Sequence, residues 1–142
     1  LKFFIEAKGY DVVHEYEEDA GYDLRTPHDI MIYGHDSAIV ETGVHVQIPN
    51  GYVGMLKSKS GLNIRNSITG EGVIDSGYTG EIVVKLYNNS NFIKTFSAGD
   101  KIIQLVVVPV LTEDIEYCES LDELIRSSNG SRGNNGFGST GR

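Results

Sequence analysis

Apolar and polar residues alternate with period two over several short stretches. In VHVQIP, Val44, Val46 and Ile48 stand against His45 and Gln47; in GEIVVKLYN, Ile82, Val84 and Leu86 stand against Val83, Lys85 and Tyr87. Period two is the spacing of side chains that share one face of a strand. KIIQLVVVPV, residues 101–110, is a continuous apolar run, which predicts a strand buried on both faces. Turn-forming residues separate these stretches: Tyr33 and Gly34, Asn50 and Gly51, Asp75 to Gly77, Asn88 and Asn89, Ala98 to Asp100. Short strands at such intervals predict an all-β, jelly-roll-like barrel or sandwich. One short helix is expected, because Ser120 and Glu123 form a capping-box pattern ahead of Leu124 and Ile125. After Arg126 the composition turns to Ser, Asn, Gly and Arg. The expectation is a β-barrel domain over residues 1–126 and a flexible C-terminal arm over 127–142.

Composition narrows the partners. The 142 residues suit one domain, and 39% are hydrophobic, enough for a packed core. No run approaches the ~20 apolar residues that span a bilayer, so no membrane partner is expected. The start, LKFFIEAKGYDVV, lacks the layout of a signal peptide; it reads as a chain without its initiator Met, in a cytoplasmic setting or a host's cytoplasm. The net charge of −8 repels long nucleic acid unless a basic face is segregated, and the basic residues are scattered apart from Lys57, Lys59 and Arg65. A small anion is still compatible, since salt screens distant charges beyond ~8–10 Å. The single cysteine, Cys118, excludes an intrachain disulfide and is expected to be a small, partly buried filler. His14, His28, His35 and His45 show no metal-ligand spacing and are expected on surfaces and loops.

Five stretches carry more than folding information: AGYDL (20–24), LKSKSGL (56–62), GEGVIDSGYTGEI (70–82), AGDKIIQL (98–105) and RGNNGFGSTG (132–141). A tail rich in glycine is ordinarily a linker, but disordered tails are poor in aromatics and this one holds Phe137. A planar ring on a mobile strap can stack on a bound base, which contributes ~1–3 kcal/mol. Arg132 can grip phosphate oxygens in bidentate fashion, and Gly138, Ser139 and Thr140 offer N–H and hydroxyl donors. Lys59, Ser60 and Gly61 form either a polar turn or a phosphate cradle. GEGVIDSGYTGEI reads as a β-hairpin whose bare backbone can meet the edge of a base; a mismatched base would leave buried polar atoms unpaired. Asp100 is expected to fix its turn. Gln104 reads as a phosphate-facing amide or a satisfied strand amide.

In order and spacing, these five stretches resemble the motifs of the trimeric dUTP pyrophosphatases, the dUTPases, of bacterial or phage type. The resemblance spans nearly the whole chain, and GVIDSGYTGEI with the terminal GFGSTG is its most specific part. It implies hydrolysis of dUTP to dUMP and pyrophosphate, keeping uracil out of DNA and supplying dUMP for dTMP synthesis. Asp75 would be the general base for an in-line water, against its alternative as an ordinary turn aspartate. Mg²⁺ would be held by Asp23 through water. Uracil would lie against Gly70, Gly72, Val73 and Ile74 and under Phe137, with Tyr78 beneath the deoxyribose, where it rejects a 2′-hydroxyl. Lys59, Ser60, Gly61, Gln104, Arg132, Gly138, Ser139 and Thr140 would hold the phosphates. Where the family usually has Pro-Arg-Ser-Gly, this chain has Ser58, Lys59, Ser60 and Gly61, so the charge is kept and the planar fork is lost. The resemblance also implies a homotrimer with shared sites. Two other readings remain: a dCTP deaminase of the same fold, which needs a glutamate where this chain has Lys85, and a dUTP-dependent regulatory binding protein.

Overall fold

The computed structural model describes residues 1–136. Its elements, in order, are β1 (Lys2–Ile5), β2 (Gly21–Arg25), β3 (Ile30–Ile32), β4 (Ser37–Glu41), β5 (Val44–Gln47), β6 (Tyr52–Lys57), α1 (Ser60–Asn66), β7 (Ile68–Thr69), β8 (Glu71–Ile74), β9 (Val83–Asn88), β10 (Lys94–Phe96), β11 (Lys101–Pro109) and α2 (Leu121–Ser127). They divide between two compact units, Leu1–Leu111 and Thr112 onward. All strands belong to the first unit, which is the jelly-roll-like sandwich expected from the alternation.

Every strand pair is antiparallel. A four-stranded sheet runs β2-β11-β6-β8, a three-stranded sheet runs β4-β9-β7, and β1 with β5 and β3 with β10 form two-stranded ribbons. Both larger sheets and both ribbons feed one core. Leu24, Leu56, Ile103 and Leu105 enter it from the four-stranded sheet, and Val40, Ile68, Val84 and Leu86 from the three-stranded one. The predicted alternation of β9 is present: Val84, Leu86 and Asn88 are buried, while Val83, Lys85 and Tyr87 face outward.

Four expectations need correction. Among the described residues there are two short helices, not one. α1 follows Lys59 with no side-chain cap, and it ends at Ser67, whose left-handed backbone (φ 56°) returns its N–H to the Asn63 carbonyl. None of its residues is buried, so no amphipathic stripe advertised it. Second, residues 70–82 are not a simple hairpin. β8 pairs with β6, whereas β9 pairs with β4 and β7, so the chain crosses between sheets at residues 75–82. Alternation marks two strands with a turn between them but does not say which neighbours they choose. Third, β11 is buried on both faces only in its first half. Ile102, Ile103 and Leu105 are covered, and the strand then emerges until Val108 is 37% exposed. Cys118, expected to be partly buried, is exposed.

In the second unit, the Ser120 side chain accepts the Glu123 N–H and the Glu123 carboxylate accepts the Glu119 N–H, so α2 starts at the capping pattern read from the sequence. No helix among the described residues is long and apolar enough to cross a membrane.

One buried polar residue welds the loops after β3 and β9. The Asn88 amide donates to the carbonyls of Ile32, Tyr33 and Phe92 at 2.9, 3.2 and 2.7 Å, and its oxygen accepts from the Ser90 N–H and hydroxyl. Asn88→Ala strands these groups; at ~1–3 kcal/mol per buried orphan, we expect a loss of about 3 kcal/mol, measured as a lower urea midpoint.

Candidate active site

Strand register assembles a polar row. Asp23 on β2 lies opposite Gln104 on β11, Gln104 lies opposite Lys57 on β6, and Lys57 lies opposite Glu71 on β8. Directly opposed residues point to the same face of a sheet. The neighbouring row contains Leu105 and Leu56, which are buried in the core. The row from Asp23 to Glu71 therefore faces away from the core.

The Lys59 ammonium lies 2.5 Å from Asp23 Oδ1, and the Lys101 ammonium lies 3.6 Å from Asp23 Oδ2. Gln104 donates from Nε2 to the Ser58 carbonyl at 3.1 Å. Its side chain fills the space a Cβ at Gly21 would take, since that Cβ would sit 2.1 Å from Gln104 Oε1. The amide thus anchors the turn that presents Lys59. Ser58 Oγ donates to the Gly70 carbonyl at 3.1 Å and accepts the Gly70 N–H at 3.0 Å. This closes the base of the α1 excursion. Ser60 and Gly61 are exposed in the first turn of α1, and nothing crowds Gly61. A cleft of about 440 Å³ opens beside them, lined by Lys57, Ser58, Asn63, Thr69, Gly70, Glu71 and Tyr87.

The residues expected to read the base follow along β8. Gly70 and Gly72 have packing reasons to lack a side chain. A Cβ at Gly70 would meet Ile103 Cδ1 and the Lys85 carbonyl at 3.0 Å, and one at Gly72 would meet Leu56 Cδ1 at 3.0 Å. Val73 is exposed and the Ile74 side chain is in the core, so Ile74 can offer a ligand only its backbone. β8 is the edge strand of its sheet, which leaves one row of its main-chain groups outside that sheet's ladders. Asp75 is exposed at the strand's end and starts a turn in which its carbonyl accepts the Tyr78 N–H at 3.0 Å. The Tyr78 ring lies over Gly80, where a Cβ would come within 2.4 Å of its hydroxyl, and that hydroxyl donates to the Glu81 carbonyl at 2.7 Å.

The turn is braced by charged groups that spacing did not reveal. Glu81 accepts from the Gly43 N–H at 2.8 Å and pairs with Lys8 at 2.7 Å. The Lys8 hydrogen bond, opposed by partial burial and assisted by the Gly43 N–H, holds the Glu81 carboxyl below the usual range; the same bond raises Lys8. His45 reaches the Thr79 carbonyl and Glu6. Glu6 and His45 are 39 positions apart, so only the β1–β5 pairing brings them together.

The expected site residues form two groups within the chain. Asp23, Lys59, Ser60, Gly61 and Gln104 gather around β2, β11 and the start of α1. Asp75 and Tyr78 lie at the far end of β8. Glu71 is the residue opposite Lys57, and Asp75 comes four positions later, roughly 13 Å along an extended strand. Asp100 fixes its turn as expected, accepting the Ser97 N–H at 2.8 Å. In the second unit, Arg132 turns back on its own loop, donating to the carbonyls of Asn135 and Gly136. Phe137, Gly138, Ser139 and Thr140 lie outside the described residues.

A family model described as dUTPase matches residues 8–141. The chain belongs to the dUTPase family. It is 43% identical over 127 residues to the deoxyuridine 5'-triphosphate nucleotidohydrolase of Cutibacterium acnes, covering 87% of this chain and 80% of that protein. It is 40% identical over 124 residues to the enzyme of the same name from Candida albicans, covering 87% and 76%. Among solved structures it is similar to a mutant of the Staphylococcus bacteriophage 80alpha dUTPase with dUpNHpp, at a TM-score of 0.88 and 25% identity over 99% of this chain and 98% of that one. A mutant dUTPase from phage phi11 of S. aureus, described with a structural Mg(II) ion, matches at a TM-score of 0.75 and 26% identity over 84% and 96%.

Within this dUTPase fold, Ser58→Ala leaves the buried Gly70 N–H and carbonyl without that partner. We expect a loss of about 2 kcal/mol and faster hydrogen exchange at the Gly70 amide, read by NMR.

Proposed function

We propose that the protein hydrolyses dUTP to dUMP and pyrophosphate, lowering dUTP and supplying dUMP. Family membership supports the reading, and the carrying observation is the outward row of Asp23, Gln104 and Lys57 with Lys59 beside it, paired with an exposed Asp75 at the end of an edge strand. Lys59, Ser60, Gly61 and Gln104 bind the phosphates. Main-chain groups of Gly70, Gly72, Val73 and Ile74 read uracil, and the Tyr78 ring supports the deoxyribose and excludes a 2′-hydroxyl. Asp75 accepts a proton from the water that attacks the α-phosphorus in line. Most of the acceleration comes from positioning and charge, because phosphoryl transfer asks little covalent chemistry of the protein.

The donor set fits Mg²⁺ held through water. Asp23 offers a single carboxylate, part-exposed and shared with the Lys59 and Lys101 ammoniums, which suits a hold through water better than direct ligation. Mg²⁺ typically keeps several waters and takes only one or two carboxylates plus substrate phosphates. When bound, it would offset phosphate charge and gather the triphosphate into one conformer.

A homotrimer with sites shared between copies is part of the proposal. Within one chain the cradle around Lys59 is separated from Asp75 by the length of β8, which supports a site that draws them from different copies. Uncovered apolar residues, among them Val108, Val110, Leu111, Ile115 and Tyr117, supply surface for such contacts. The arm from residue 127 closes the site in this reading, with Phe137 over uracil and Arg132, Gly138, Ser139 and Thr140 on the outer phosphates. The protein acts in the cytoplasm. Deamination of dCTP is disfavoured: Lys85 is exposed, 5.3 Å from the Tyr87 ring, and an ammonium cannot serve as proton acceptor. The 80alpha phage dUTPase is described as controlling transfer of virulence genes. A regulatory partner would be an addition to hydrolysis here, because pure binding has no need of Asp75.

The deciding experiment is a panel of deoxy- and ribonucleotides with product identification. Pyrophosphate from dUTP supports the proposal, and ammonia from dCTP without pyrophosphate overturns it. Asp75→Asn is expected to retain dUTP and slow turnover at least ~100-fold, measured at saturating substrate; a near-normal rate removes Asp75 as the base. Tyr78→Ala is expected to raise UTP turnover relative to dUTP, with kcat/KM for both as the measurement.

A further inference from the structure

His45 stands on β5 directly opposite Phe4 of β1, and the two rings are 5.6 Å apart. Its Nδ1 is 2.7 Å from the Thr79 carbonyl oxygen, and its Nε2 is 3.0 Å from Glu6 Oε2. A carbonyl and a carboxylate are both acceptors, so each ring nitrogen must donate. A neutral imidazole carries one N–H; only the imidazolium carries two. The geometry therefore specifies a charged ring.

That ring is seated on a firm platform. The Glu6 N–H donates to the Gly43 carbonyl at 2.8 Å, Ile5 pairs with Val44, and the Ile82 N–H donates to the Val44 carbonyl. Residues 75–81 lie between this anchored Ile82 and the end of β8. The Thr79 carbonyl sits in the middle of the segment, one residue after Tyr78 and four after Asp75.

We propose that His45, as an imidazolium bridging Glu6 and the Thr79 carbonyl, is a positioning residue that holds the turn bearing Asp75 and Tyr78 against the β1–β5 ribbon. The proposal rests on the roles given to Asp75 and Tyr78 above and deepens them. His45 itself touches neither residue's reacting atoms. It acts by fixing the peptide between Tyr78 and Glu81.

The surrounding charges favour the bridge. The Thr79 carbonyl, then Glu6 as hydrogen-bond partner, raise His45 above its usual 6.5; partial burial opposes them, and the charges of Glu6 and Glu81 add to the rise. Lys8 pairs with Glu81 at 2.7 Å, and Lys2 lines the same cavity as His45, Phe4 and Thr79. For a raised basic group, the stabilisation is complete below pH 6.5 and is lost as pH rises through the folded-state value. Above that value the ring keeps one proton, so either Glu6 or Thr79 loses its donor, and the turn is held by one fewer bond.

The test uses the full chain, with Glu6→Gln and His45→Gln as variants. NMR follows two signals with pH: the His45 ring and the Gly80 amide nitrogen, whose peptide bond contains the Thr79 carbonyl. In the wild type both should titrate together above pH 6.5. Glu6→Gln should move both inflections to lower pH, and His45→Gln should abolish the one at Gly80. The kcat/KM for dUTP should fall roughly 3- to 10-fold through the same inflection, the scale of a slight misplacement, and this limb should shift with Glu6→Gln. A Gly80 signal indifferent to the ring, a His45 inflection unmoved by Glu6→Gln, or a kcat/KM limb that ignores Glu6→Gln would each overturn the proposal. The spectra need no turnover, so coupled titration in a chain that fails to hydrolyse dUTP supports the brace and counts against the hydrolysis reading alone.

Discussion

Strand β11 carries hydrogen-bond ladders on both of its edges, to β2 and to β6, and the placement of the polar cradle follows from those two registers. Because side chains alternate with period two, slipping either neighbour by one residue would turn its entire outward row into the core. Leu105, Leu56 and Leu24 prevent the slip, since each is fully buried on the opposite face. The hydrophobic core thus does more than stabilise. It fixes which way Asp23, Gln104 and Lys57 point, and Gln104 then passes that order to the Ser58 carbonyl and the start of α1.

Much of this was legible in the sequence. The alternation in β5 and β9 named the buried side of each strand, and the Ser120 pattern named the start of α2. What alternation could not supply was partner choice. β8 and β9 are consecutive and joined through a turn, yet they sit in different sheets. α1 carried no periodic apolar signal because none of its seven residues is buried, with Leu62 alone partly packed against the core. The emergence of β11 from the core was hidden because Val106, Val107 and Val108 look as apolar as the residues before them. Glu6, His45 and Thr79 became neighbours only through tertiary pairing, so no local spacing could have announced them.

The glycines illustrate how structure sorts meanings that a motif merges. At Gly70, Gly72 and Gly80 the missing side chain makes room for atoms of the protein itself. At Gly61 and Gly77 a Cβ would meet nothing within 4 Å. At the first three, packing alone already disfavours a side chain before any ligand is considered. The other two have open space around them, so packing within the chain does not require them to be glycine.

Asp23, held between Lys59 and Lys101, has a further implication. Its carboxylate is seated on one ammonium and near a second, and Lys101 also pairs with Glu15 at 3.2 Å, so two ammoniums are matched by two carboxylates of the same chain. A stray monoanion finds little unbalanced positive charge there and would have to outcompete a covalently tethered counterion to stay. In the proposed role of Lys59 as a phosphate-binding residue, a polyphosphate brings several negative oxygens at once and displaces that counterion. The internal ion pair is in this sense a threshold, one that screens guests by how much charge they carry before any base or sugar is read.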